Sequence, residues 1–214
     1  NVTGATGDVW LTQATGARAL TIANLTADGP SGNAVVTTID TPLVVASDGT
    51  GISLSGGNLR LEAGGAGGSL TIAERIQSAG GDISLLADAG ISFTAAGTLD
   101  TAGGTADIDT SAGGITMAAG ASVATHGGTL RCRAGAGDIT PNGLDARGDT
   151  DGTVVILADT GSILAPGGGA RAYGNALLLS AGNGIGSDTA GYAPLTAKVD
   201  VLAARATAGN VLYE

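Results

Sequence analysis

The stretch "GGDISLLADAGISFTAAGTLDTAGG" runs from Gly80 to Gly104 and carries the pattern on which the rest of the chain is built. Its apolar residues come in three short bursts, Ile83 with Leu85, Ile91 with Phe93, and then Leu99, before a Gly-Gly pair returns. Within a burst, apolar residues alternate with polar or small ones, the two-residue period of a strand with one buried face. Glycine, with Asp or Asn, fills the gaps, where the chain must turn and positive φ helps. Three strands and three turns make one triangular coil.

The same pattern recurs along the chain. Aligned on the Ile83 burst, the series begins "TGDVWLT" (Thr6), "GNAVVTT" (Gly32), "GGNLRLEA" (Gly56) and "GGDISLLA" (Gly80). It continues "GGTADIDT" (Gly103), "GGTLRCRA" (Gly127), "DGTVVILA" (Asp151), "YGNALLLS" (Tyr173) and "TAKVDVLA" (Thr196). Successive starts differ by 26, 24, 24, 23, 24, 24, 22 and 23 residues. A fixed period of this size marks a repeat architecture whose units stack on one another. The pattern predicts an all-β fold, a parallel β-helix (β-solenoid) of about nine coils of roughly 22–26 residues, with three short strands per coil. Each strand pairs with its equivalent one coil away at ~4.8 Å, so the rod is roughly 40 Å long. A leucine-rich repeat of similar period needs a leucine and asparagine ladder with a helix, which the sequence lacks, and the glycines exclude an all-helical repeat.

This register predicts two inward files. The first holds Leu59, Leu61, Ile83, Leu85, Ile108, Leu130, Cys132, Val154, Ile156, Val199 and Val201. The second holds Leu70, Ile72, Ile91, Phe93, Ile115, Met117 and Ile139. Composition agrees: 43% of the 214 residues are hydrophobic but only 2% aromatic, so a narrow interior must be filled by small aliphatic side chains. No apolar run approaches the ~20 residues of a membrane-spanning helix. The net charge of −10, with Lys198 the only lysine, disfavours nucleic-acid phosphates and anionic lipid. Cys132 is the single cysteine, so no internal disulfide forms, and its place in an inward file makes it an inert buried thiol.

From Gly174 onward the sequence reads "GNALLLSAGNGIGSDTAGYAPLTAKVDVLAARATAGNVLYE". With the "GGxIxLxA" coils from Gly80 to Ala158, this stretch resembles the repeat region of filamentous-haemagglutinin-type large exoproteins. The resemblance implies a right-handed β-helical rod belonging to a secreted or cell-surface bacterial adhesin. It also implies export through an outer-membrane partner in a two-partner system, and attachment to host-cell, bacterial-cell or glycan surfaces. Neighbouring repeat units of the same chain would be its structural partners. "GNVLYE" (Gly209 to Glu214) matches "GDVWLT" (Gly7 to Thr12), which predicts that residues 1–214 are one β-solenoid unit of a longer array, continuing into another coil beyond Glu214.

Few residues of the chain are candidates for chemistry. In "TADIDT" both Asp107 and Asp109 point outward around Ile108, and Arg131 and Arg133 follow at the coil spacing around Cys132. The reading is a two-rung surface charge ladder, Asp107 beside Arg131 and Asp109 beside Arg133. The alternative is a polysaccharide-binding or polysaccharide-degrading β-helix using these carboxylates. His126, the only histidine, sits at a coil corner and has no nucleophile–base constellation around it. The glycine turns lack a Walker-type lysine, and "GDTDGT" offers too few ligands for a calcium shell, so neither cofactor nor metal is expected. The same turn carries Arg147-Gly148-Asp149, a cell-attachment tripeptide that integrins recognise, on what should be an exposed turn.

Overall fold

A computed structural model describes residues 2–4, 7–15, 18–29, 31–166, 171–186 and 192–214. Thr6, where the first repeat starts, and Ser187 of "GNGIGS" lie outside the described residues. The described chain contains strands and turns but no helix, so it has no helix long and apolar enough to cross a membrane. Three parallel sheets form the sides of a β-solenoid. Sheet I has nine strands, from Val9–Gln13 to Val201–Ala206, each pairing with its equivalent in the next coil. Sheet II has six, from Leu20–Ile22 to Ile139–Thr140, and single bridges extend it through Ile163 and Ile185 to Val211. Sheet III has nine, from Val2–Gly4 to Thr196–Lys198. The quoted stretch supplies one strand to each: Ile83–Ala87, Gly90–Phe93 and Thr98–Asp100.

The inward files fill the interior as the alternation predicts. Leu59, Ile83, Ala106, Leu130 and Val154 stack in one column of sheet I. Leu70, Ile91, Ile115 and Ile139 do the same in sheet II. All of these are buried. Sheet III adds a third column from Leu25 and Ile52 to Ile76, Leu99, Val123 and Leu144.

The last coil departs from the expected register. Val201 is 57% exposed and faces outward over Ala176, while Leu202 stacks on Leu177. Val199 lies just ahead of the strand, partly buried against the core. Both valines therefore sit outside the first file, because apolar residues occupy both parities of this strand and the backbone pairing selects the other one. Val211 likewise pairs with Ile185 in sheet II, so "GNVLYE" completes the turn after the last sheet I strand and is not the equivalent of "GDVWLT" in sheet I.

The Gly-Gly pairs have a two-part cause. The first glycine takes positive φ, 105° at Gly80, 113° at Gly103 and 103° at Gly127. The second forms a column, Gly57, Gly81, Gly104, Gly128 and Gly152, in which an added Cβ would collide with the carbonyl oxygen of the glycine one coil before. A corner hydroxyl completes the turn: Thr101 Oγ1 donates to the Gly104 carbonyl (2.6 Å) and Thr125 Oγ1 to that of Gly128 (2.7 Å). A buried carbonyl at the tightest point of the coil is thereby satisfied from within.

Candidate functional site

Sheet I carries the charged face. Asp107 pairs with Arg131 and Asp109 with Arg133 in backbone register, as the repeat spacing predicts. Arg131 clasps Asp107 through Nε to Oδ1 (2.7 Å) and Nη2 to Oδ2 (2.8 Å), and the same Nη2 reaches Asp109 Oδ2 at 3.2 Å. Arg133 departs from a simple rung. Its Nη1 is 3.6 Å from Asp109 Oδ2, while its Nη2 donates to Asp159 Oδ2 at 2.6 Å. Arg131 already occupies that Asp109 oxygen, and Asp159, exposed at the next corner, offers an unshared carboxylate. The result is a diagonal chain, Asp107–Arg131–Asp109–Arg133–Asp159. The hydrogen bond to Asp107 raises the pKa of Arg131, and that to Asp159 raises that of Arg133. Carboxylates clasped in this way serve as ion-pair partners.

The Arg147-Gly148-Asp149 turn is exposed at all three residues. Its arginine is nonetheless engaged. Nε donates to Asp145 Oδ1 (2.9 Å), Nη2 to Asp145 Oδ2 (2.5 Å), and the guanidinium lies 4.2 Å from the Tyr173 ring centroid. This pairing holds the Asp145 carboxyl below its ordinary range, chiefly through the Arg147 hydrogen bond. The Gly148 N–H donates to Asp151 Oδ1 (3.0 Å) and fixes the turn. Asp149 borders a shallow trough with Asp151, Asn175 and Asp200. Among the described residues no group of three or more His, Cys, Asp or Glu side chains is placed to hold a metal ion.

His126 is half exposed at its corner, with φ of 52°, and its Nε2 lies 3.2 Å from Asp100 Oδ1. Cys132 is fully buried, and burial pushes its thiol pKa up to about 12, so the reactive thiolate is suppressed.

Three features go beyond the sequence reading. Asp88 joins three successive coils: its Oδ2 accepts the Gly65 N–H (2.6 Å) and its Oδ1 the Ser111 hydroxyl (2.6 Å). These two bonds, Ser111 first, lower its pKa. A side-chain ladder also climbs the corner before sheet I. Asn33 Oδ1 accepts the Asn58 N–H (3.0 Å), Asn58 Oδ1 that of Asp82 (2.8 Å), and Asp82 Oδ1 that of Thr105 (2.8 Å). The run of Asp8, Asn33, Asn58 and Asp82 just before the first four apolar bursts was its sequence signal, and Thr105 ends it. Finally, Trp10 is 70% exposed on the outer face of sheet I, beside a trough of about 520 Å³.

The chain matches no protein-family model, no curated protein and no solved structure.

Proposed function

We propose that this chain is a rigid rod segment of a secreted or cell-surface bacterial adhesin of filamentous-haemagglutinin type, exported through an outer-membrane partner. Its work is to project or present an attachment surface to host-cell, bacterial-cell or glycan surfaces. The observation that carries the proposal is the continuity of sheet I, nine strands stacked in one parallel ladder. A stack of that kind gives length and stiffness, and every coil presents one outer surface. The resemblance of the "GGxIxLxA" coils to the exoprotein repeats supports the assignment to an adhesin.

Attachment is assigned to the long outer faces. The Arg147-Gly148-Asp149 tripeptide is secondary, because integrin recognition would require Arg147 to leave Asp145 and Tyr173. Antibodies raised against the chain should label intact cells or culture supernatant of the organism that makes it. Beads coated with the chain should attach to cells more than beads coated with an unrelated acidic protein. Signal confined to the cytoplasm, or no excess attachment, overturns the proposal.

A further inference from the structure

We propose that the trough beside Trp10 is a binding site for a linear, uncharged, β-linked polysaccharide. The inference goes beyond the rod assignment and stands without it. The outward file Trp10, Val35, Arg60, Ser84 and Asp107 runs along the stack in direct register. Four coil steps make this file roughly 19 Å long. The opposite wall is the Asn58–Asp82 corner ladder. The trough between them has a volume of about 520 Å³, within the range of sites that hold small ligands.

Trp10 is the only tryptophan of the chain. A large aromatic ring exposed at one end of a trough lined by both apolar and hydrogen-bonding groups is the expected platform for the C–H face of a pyranose ring. The walls supply hydrogen-bonding groups at the coil spacing. The ladder uses one oxygen of each side chain, which leaves Asn58 Nδ2 as a donor and Asp82 Oδ2 as an acceptor without a partner among the described residues. Of the charged side chains nearby, Arg60 is paired with Glu62 and Asp107 with Arg131, while Asp82 keeps a carboxylate that would repel an anionic ligand. An anionic glycan would also meet a chain of net charge −10. An extended peptide is less suited, because the trough lies on the face of sheet I, where the backbone groups already pair within the ladder. A ligand with many hydroxyl groups and flat apolar ring faces matches both walls.

The test titrates the 214-residue chain with cellohexaose, mannohexaose and chitohexaose while following tryptophan fluorescence, which reports on Trp10 alone. At least one of these probes should give a saturable change, matched by calorimetry. Trp10→Ala should weaken binding roughly ten-fold or more, the scale of losing one aromatic anchor. Ser84→Arg fills the trough three coils from Trp10 and should weaken binding as well, with an unchanged circular dichroism spectrum and melting temperature. A heparin hexasaccharide should leave the fluorescence unchanged. The proposal is overturned if none of the three uncharged probes saturates, if heparin binds as well as they do, or if both variants bind like the parent chain.

Discussion

The glycine column sets the distance between coils. At Gly104 a methyl group would strike the backbone carbonyl of Gly81, which cannot move aside because it belongs to the equivalent corner one coil away. At Gly103 the added Cβ meets nothing within 4 Å, and the only obstacle is the backbone angle of 113°. The two neighbours therefore separate steric crowding from conformational strain. Gly104→Ala should lower unfolding free energy by about 2–4 kcal/mol, as overpacking against fixed atoms does. Gly103→Ala should cost about 1–3 kcal/mol, the scale of a strained backbone conformation. Urea unfolding of both variants decides the matter, and a larger loss at Gly103 would refute crowding as the reason for the column. The alternation of inward residues was plain from the sequence, as at Ile83 and Leu85. The division of labour within each Gly-Gly pair was not, because a collision between coils involves atoms about two dozen residues apart.

Between neighbouring strands, the charged chain on sheet I makes a quantitative distinction. Arg131 holds Asp107 with two well-formed hydrogen bonds, whereas Arg133 stands off from Asp109 and favours Asp159. A double-mutant cycle should give the Asp107–Arg131 pair a coupling of ~0.5–1 kcal/mol, fading in high salt. The Asp109–Arg133 coupling should be smaller, and the reverse order would refute the diagonal arrangement. The pairing register was legible in the repeat spacing; the choice of Asp159 was not, since it depends on which carboxylate oxygen remains free. The register of Val201 was illegible for another reason, because "VDVLAARA" offers apolar residues at both parities. The link made by Asp88 adds a pH dependence. Its pKa is lower in the folded chain than the ~3.9 of an unfolded aspartate. Its contribution is therefore present above that value and is lost as pH falls through the lower folded value. Urea midpoints should fall over that acid range, less steeply in Asp88→Asn; identical slopes would remove Asp88 from the account.

At the scale of the whole stack, the last strand of sheet I has a single neighbour among the described residues. Strand Val201–Ala206 pairs with Ala176–Ala181 on one side only, and Val201, Leu202, Val211 and Tyr213 are all substantially exposed. An open strand edge with apolar neighbours is a template for further pairing. The 214-residue chain should associate with rising concentration in sedimentation experiments, and Leu202→Lys should suppress this; a parent chain that stays monomeric at high concentration would exclude edge pairing. The coil-by-coil register also bears on what happens under tension. Chain ends drawn apart would load the outermost coil first, and its bonds to the next must part before that one feels the pull. In sheet I equivalent residues are 23 to 25 apart, as in Ile83–Ala106 and Val9–Ala34. Each rupture would free about 80 Å of extended chain. A rod built this way yields to a tug in near-equal increments, dissipating work at every step, and the coils not yet peeled still hold.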